Sequence, residues 1–484
     1  MKSTLIPVNI DFCGREEEQE RLQDIITYPK ARTLVVYGRR RIGKTELLEQ
    51  TFRKRNLVKF EGIEGKSEAE QMSHVLSLLA ELCDEPLLKK LAVSSWTEIF
   101  KLIAEQVSEG PWTLYFEELQ WLAAYKGDFV AELKYVWDNH FRHNNELIII
   151  LCGSSPSFMI NQVTHSKALY NRSLFELPIH EFHLNDAQQF MPNYTAHDVM
   201  DAILSVGGIP EYLQWLKEDG SVFLSLCQQA FRSGSPFFGE TDRIFVSSLA
   251  NNEHYEKIVR FLAKNRFATR AEIATAIKMS TGGSLTNLLQ DLELCGFIRK
   301  FVPYHLKQDS LLARYHINDA YLQFYFKFIE PIKARIASGE FDKDPTKALA
   351  IDDYRKWLGF SFERFCRRYA YVIARILGFY AIDYEFGAYF SRKAVGEQPG
   401  YQIDLLFDRK DRVFTICEIK YLQSKVDTSV IEAMERKIQL FPNPKGYRIQ
   451  RVLICNHGAT ESLVNRAYFD RIITLEDLFE PHHW

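Results

Sequence analysis

The sequence predicts an α/β protein in which a parallel, doubly wound sheet is followed by a helical segment, a small helix-rich unit and a second α/β unit. Two observations predict it. Short apolar runs alternate with helical stretches throughout the first half, and a glycine-rich loop joins the first of these runs directly to a helical pattern. The runs are "TLVVYG" (33–38), "LVKFEG" (57–62), "WTLYFEE" (112–118), "LIIILCGSS" (147–155) and "SLFELPI" (173–179). Each has the length and bounding residues of a buried strand. From about 183 to 250 the apolar spacing turns helical, broken by "GGIP" (207–210) and "RSGSPFFG" (232–239). Residues 254–303 read as three helices leading into "GFIRKFVPYHLKQDSLLARYHI", the spacing of a winged helix with its hairpin wing. The polar stretch "SGEFDKDPTK" (338–347) reads as a linker. Beyond it come a long helix, strands near 380–390, 401–407 and 413–420, a helix over 428–441 and a strand at 451–456. The expected domains are therefore 1–182, 183–250, 251–337 and 338–484.

Composition narrows the classes. A chain of 484 residues with a net charge of −3 carries no global charge argument for nucleic acid, so only local patches count. No run of about 18 apolar residues is present to span a membrane, and the N-terminal stretch lacks the apolar centre of a signal peptide. The expected setting is cytoplasmic, with no membrane partner. The eight cysteines are widely spaced with no C-x-x-C pair, which predicts reduced thiols and argues against zinc.

"GRRRIGKT" (38–45) fits G-x-x-x-x-G-K-[ST] between a strand and a helix, the context that motif requires. Gly38 and Gly43 allow successive backbone N–H groups to face phosphate oxygens across Arg39, Arg40, Arg41 and Ile42, and the helix N-terminus adds partial positive charge. Lys44 is expected on the β- and γ-phosphates and Thr45 on Mg²⁺. "TLYFEELQWL" supplies the acidic strand end: Glu117 near the metal, where Asp is more usual, and Glu118 to polarise the attacking water. Ser154 and Ser155 end a neighbouring strand, with Ser154 placed to sense the γ-phosphate. ATP and Mg²⁺ are the expected cofactors.

Taken in order, "FCGREEEQERL" (12–22), "GRRRIGKT", "FEELQWL" (116–122), "LCGSSPSFM" (151–159), "ALYNRS" (168–173) and "GGIPEYL" (207–213) resemble the archaeal-type ATPase family, a branch of the signal-transduction ATPases with numerous domains related to AAA+ proteins. The resemblance covers roughly residues 10–245 and implies a P-loop NTPase core with a helical lid. It implies further that Gly14 and Arg15 lie near the adenine, and that Gly208 and Pro210 begin the lid. Arg172 aligns with an arginine that faces a phosphate in cis or across a subunit boundary, so a homo-oligomer is allowed.

Residues 256–314 hold ten Lys/Arg against five Asp/Glu, yet the helix expected to enter a DNA groove, "SLTNLLQDLELCGF", has none of the basic residues. It offers Asn287 and Gln290 for base edges, so a structural relay is favoured over sequence reading.

The run "DLLFDRKDRVFTICEIKY" (404–421) predicts a hairpin about Lys410, with Asp404 opposite Ile416 and Glu418 on the diagonal. Glu418 and Lys420 then share a face, and two carboxylates with a nearby lysine suit Mg²⁺-assisted phosphodiester hydrolysis. Gln402 lies two residues before Asp404, and Glu363 on the preceding helix is a further carboxylate. The pattern D-x₁₃-E-x-K resembles the PD-(D/E)XK nuclease superfamily over about 350–465, although Ile403 stands at the proline position. A buried Glu418–Lys420 ion pair in a silent nuclease fold is the alternative. The function expected is an ATP-binding and ATP-hydrolysing regulator coupled to Mg²⁺-dependent DNA hydrolysis, with DNA as partner. The alternatives are an ATP-switched DNA-binding or signalling protein with an inactive nuclease-like domain, and an ATP-driven protein remodeller.

Overall fold

The fold is described from a computed structural model over residues 1–166, 174–217, 220–249, 252–265, 267–302, 313–391 and 400–484. The five apolar runs of the first half are strands: β1 (Arg32–Tyr37), β2 (Asn56–Glu61), β3 (Trp112–Glu117), β4 (Ile148–Gly153) and β5 (Leu174–Pro178). They form one sheet in the order β2-β3-β4-β1-β5, with every neighbouring pair parallel. A parallel sheet is covered on both faces, which is why these strands are nearly continuous apolar runs. Alternate side chains feed two separate layers: Val35, Val58, Phe60 and Phe116 on one side, Leu34, Val36, Leu57 and Ile150 on the other. The parallel register sets Tyr37 beside Gly153 and Phe116 beside Leu151. The loops that follow β1, β3 and β4 therefore open on the same edge of the sheet, where α/β proteins place their ligands.

After Pro178 the chain turns helical, and a small antiparallel sheet follows, made of β6 (Ala268–Thr269), β7 (Ile298–Phe301) and β8 (Arg314–Ile317) in the order β6-β8-β7. Helices Glu253–Lys264, Arg270–Ala276 and Gly283–Leu294 accompany it. The Arg270–Ala276 helix starts on a reciprocal cap between Thr269 and Glu272. Residues 303–312, inside the stretch expected to form the wing, lie outside the described residues. Asn287 and Gln290 are exposed on the Gly283–Leu294 helix. Its far end faces the first unit, because Asp291 bonds to Ser157 just beyond β4.

The C-terminal unit is a mixed sheet of β9 (Tyr384–Ser391), β10 (Tyr401–Arg409), β11 (Val413–Lys420), β12 (Arg448–Cys455) and β13 (Arg471–Ile473), ordered β13-β12-β11-β10-β9. β9, β10 and β11 are antiparallel, whereas β11, β12 and β13 are parallel. The hairpin is centred one residue later than its sequence suggests: Leu405 pairs with Cys417 and Leu406 with Ile416. Asp404 is thus level with Glu418, not with Ile416. The reason is the turn, where Arg412 takes a left-handed conformation at φ 68° and lengthens the β10 side.

One apolar core links the units after β5, and the C-terminal sheet has a second layer on its other face, with Ile403, Leu406 and Leu453. The linking core includes Phe182, Leu213 and Leu226 of the helical segment, Ile258 and Phe297 of the small unit, and Phe362, Phe407, Val452 and Leu478 of the C-terminal unit. Polar contacts cross the same boundaries: Tyr421 donates to Asp201 at 2.6 Å, and Ser205 and Tyr354 share a hydrogen bond of 2.8 Å. The 338–347 stretch is packed into this body, with Phe341 buried and Ser233 donating to Asp342 through both its N–H and its hydroxyl at 2.7 Å. All eight cysteines are free thiols. Among the described residues no helix is long and apolar enough to cross a membrane.

Candidate functional site

The loop after β1 carries the phosphate motif. Gly43 takes φ 87° and ends the loop where helix Lys44–Phe52 begins, so the free N–H groups of that helix face the loop. Gly38 has no room for a side chain, since a Cβ there meets the carbonyl oxygen of Ile179 at 2.4 Å. Lys44 is buried, and its ammonium donates to the carbonyls of Gly38 and Arg39 at 2.9 Å each and to the Ser154 hydroxyl at 3.0 Å. Ser154 in turn donates to Glu118 at 2.8 Å from its hydroxyl and at 3.2 Å from its N–H. A chain of hydrogen bonds thus links the loop lysine to the glutamate expected to hold water. Glu118 adopts a left-handed backbone at φ 50°, a conformation that costs a non-glycine residue about 1–3 kcal/mol and is found at working sites. Ser155 is buried at the start of the next helical turn.

Thr45 donates to Glu117, which also accepts from the Tyr115 hydroxyl at 2.7 Å and pairs with Lys59. Burial works against the charge on Lys59, but Glu117 and Glu49 beside it raise its pKa. Lys59 went unnoticed in the sequence, although a lysine inside the apolar run "LVKFEG" was a signal. The Thr45 hydroxyl and Glu117 carboxylate are hard oxygen donors meeting at the end of the phosphate loop, a set that fits Mg²⁺.

The three arginines of the loop separate. Arg39 pairs with Asp319 and lies 4.6 Å from the Phe297 ring. Arg41 pairs with Glu211 and, at 2.7 Å, with Glu240, and lies 5.2 Å from the Trp215 ring. Arg40 is exposed and Ile42 buried. Two of the three side chains therefore reach the units beyond β5, while the expectation drawn from the sequence concerns the backbone N–H groups of these residues.

The N-terminal and helical segments close around the loop. Gly14 and Arg15 both have left-handed backbones, and the Arg15 guanidinium donates to the Ile42 carbonyl at 2.9 Å and stacks on Phe182 at 4.7 Å. Gly208 is fixed by Phe182, whose N–H donates to its carbonyl at 2.7 Å, while the Gly208 N–H donates to Glu181 at 3.0 Å. Pro210 approaches Gly43 from the same turn. Glu181 also pairs with Arg368, from the long helix Ile351–Arg368 of the C-terminal unit. Arg172 lies outside the described residues.

Residues 12–216 match the family model described as an ATPase domain predominantly from Archaea. This part of the chain is an archaeal-type ATPase domain. An uncharacterized protein of Methanocaldococcus jannaschii is 26% identical over 74% of this chain and 77% of its own. Among solved structures, a Walker-type ATPase of Pyrococcus abyssi is 20% identical, with 66% of this chain and 96% of that one covered at a TM-score of 0.47. The ORC2 protein of Aeropyrum pernix, in its ADPNP–ADP complexes, is 12% identical over 69% of this chain and 97% of that one at a TM-score of 0.43. The ATPase domain holds the phosphate loop, Glu117, Glu118, Ser154 and Pro210, and the second candidate site lies well beyond it in the chain.

That second site is in the C-terminal hairpin. The pairing of β9 with β10 slips between Ile403 and Leu406, a bulge that holds Asp404. Bulges redirect side chains in this way beside functional sites. Ile403 and Leu406, three apart, both reach the same apolar layer. Asp404 accepts from the Ile419 N–H at 3.2 Å and from Gln402 at 3.1 Å, and Gln402 also reaches Glu363 at 3.4 Å. Glu418 is buried and held by two ammonium groups, Lys420 at 2.8 Å and Lys437 at 2.5 Å. Lys437, on helix Ser429–Leu440, was not anticipated. Arg367 donates to the Asp404 carbonyl at 3.1 Å and pairs with Glu363 at 3.5 Å. Burial works against the charge of Lys420, while Glu418 raises its pKa. Among the described residues no group of three or more His, Cys, Asp or Glu side chains is set to hold a metal ion. Asp404 and Glu418 are hard-oxygen donors of the kind a divalent ion takes, and Glu418 would exchange Lys420 or Lys437 for that ion.

Burial, and Glu418 beside it, push the Asp404 carboxyl from its ordinary 3.8 up to about 6. Between those two values the folded protein keeps a proton that the unfolded chain has lost. Stability therefore falls as pH rises through this window, by about 2 kcal/mol. Denaturation in EDTA checks it: wild type should lose stability between pH 4 and pH 6 relative to Asp404→Asn, and added Mg²⁺ should reduce the difference.

Proposed function

We propose that this chain is an ATP-driven switch coupled to Mg²⁺-dependent hydrolysis of phosphodiester bonds in DNA. In this reading residues 1–182 are the ATPase core, 183–250 its lid, 251–337 a winged helix and 338–484 a nuclease-like unit. The observation that carries it is the meeting of Asp404, Glu418 and Lys420 at a strand bulge, in a body tied to the phosphate loop through Arg39 and Arg41 and to the Gly208 turn through Glu181.

At the first site Lys44 exchanges the Gly38 and Arg39 carbonyls for nucleotide phosphates. Glu118, held by Ser154, accepts a proton from the water it orients. Movement of the loop then changes the pairs Arg39–Asp319 and Arg41–Glu240, so occupancy is felt by the lid and the small unit. At the second site Lys420 and Lys437 offset the negative charge that grows on the phosphate, and Asp404 and Glu418 would hold Mg²⁺ through their carboxylate oxygens. Bound Mg²⁺ supplies Lewis-acid polarisation and an acidified water at each site.

Purified protein with Mg²⁺ and ATP is expected to cut DNA, and Lys420→Ala to lower cleavage about 10²-fold or more. The reading fails if linear, supercoiled and single-stranded DNA all stay intact and Lys420→Ala behaves like wild type. A second reading, an ATP-switched DNA-binding protein with a silent C-terminal unit, draws on the saturation of Glu418 by Lys420 and Lys437. ATP-controlled, salt-dependent DNA binding without cleavage is its signature.

A further inference from the structure

A cavity of about 1110 Å³ lies where the helical segment, the small sheet and the C-terminal unit meet. Cavities for single small molecules run to about 300–1000 Å³, so this one stands at the top of that range. Its described lining holds six basic and four acidic side chains, an excess of positive charge in a concave, partly dry space. Arg299 of β7 has no hydrogen-bond or ion-pair partner among the described residues, and burial with Arg368 nearby lowers its pKa. His316 of β8 faces the same space. Burial, with Arg299, Arg367 and Arg364 around it, brings its pKa down to about 3, and its Nδ1 is buried without a partner. Phe360 and Phe386 line the cavity, yet stay 58% and 39% exposed. Glu363 and Arg367 line it as well, and both also touch the Asp404 cluster.

Unpaired cationic charge for phosphates, exposed rings for bases and a large, half-open space together match a short unstacked strand. A duplex offers no free base faces to such rings. We propose that this cavity binds a single-stranded stretch of DNA, with phosphates on Arg299 and bases against Phe360 and Phe386, and leads it toward Asp404. The assignment deepens the hydrolase reading and rests on it for the direction of the strand. The wall of the cavity includes Arg368, whose pairing with Glu181 touches the Gly208 turn of the lid.

The test is binding of a short fluorescent oligothymidylate to the full chain in EDTA, where no cleavage occurs, read by anisotropy. Arg299→Gln and, separately, the exposed-ring variant Phe386→Ser should each weaken binding about tenfold. Affinity for a fluorescent ATP analogue should be unchanged in both. Wild-type oligothymidylate affinity in both variants, equal competition by a duplex, or equal competition by a mononucleotide would each overturn the proposal. Cleavage assayed on the same variants separates the two readings. Cleavage retained after strand binding is lost overturns the cavity alone. Strand binding that depends on Arg299 in a protein that never cuts overturns the hydrolase alone.

Discussion

Replacing Arg39 by methionine is expected to lower the free energy of unfolding by about 3–5 kcal/mol, the cost of leaving one member of a buried ion pair behind. Asp319 is 3% exposed on its side chain and Arg39 14%, so water does not take the place of the lost partner. Asp319 is needed in place for a second reason, because it accepts from the Leu322 N–H at 2.6 Å and begins the helix Ala320–Phe324. Chemical denaturation of Arg39→Met, Asp319→Asn and the double variant measures the pair. The double variant should be little worse than Arg39→Met. A loss below about 1 kcal/mol, the range of exposed pairs, would show that the contact is not closed to solvent. ATP-analogue affinity should change far less than stability, since the backbone N–H groups and Lys44 stay in place.

Lys44→Ala should lower ATP turnover about 10²–10³-fold, the usual effect of removing one well-placed donor to developing charge. The structure adds a specific expectation. Ser154 loses the ammonium that holds it at 3.0 Å, so Glu118 loses part of its own support. Ser154→Ala should therefore lower turnover with little effect on ATP affinity, while Lys44→Ala lowers both. Steady-state turnover and equilibrium binding of an ATP analogue, measured on the same preparations, distinguish the two variants. If Ser154→Ala turns over like wild type, the hydrogen-bond chain from Lys44 to Glu118 has no part in hydrolysis.

The strands of the first half were legible because a sheet buried on both faces demands short apolar runs, and each such run lies between polar or glycine-rich loops. The phosphate loop was legible because its chemistry is local: every group it needs lies within eight consecutive residues, Gly38 to Thr45. What escaped was everything set by contacts far apart in the chain. Arg39 and Asp319 are 280 positions apart, and nothing near either one names the other. Lys437 and Glu418 come from different elements, so only the folded chain shows that Glu418 is doubly held. The hairpin was legible as a hairpin, but its register turned on one left-handed residue, Arg412, that composition does not reveal. β13, at three residues, is too short for any periodicity to show.

The continuous core after β5 carries a consequence for inheritance. A gene rearrangement that exchanged only the last third of this chain would bring in a sheet whose inner face had never met Leu213, Phe297 or Tyr354. The sequence around 338–347 looks like a seam, but a crossover there would split a shared interior. An exchange near Phe182, where the layers around the first sheet end and the common core begins, divides no apolar layer but still has to supply partners for Arg39 and Arg41. Everything downstream of that point has to travel as one heritable block.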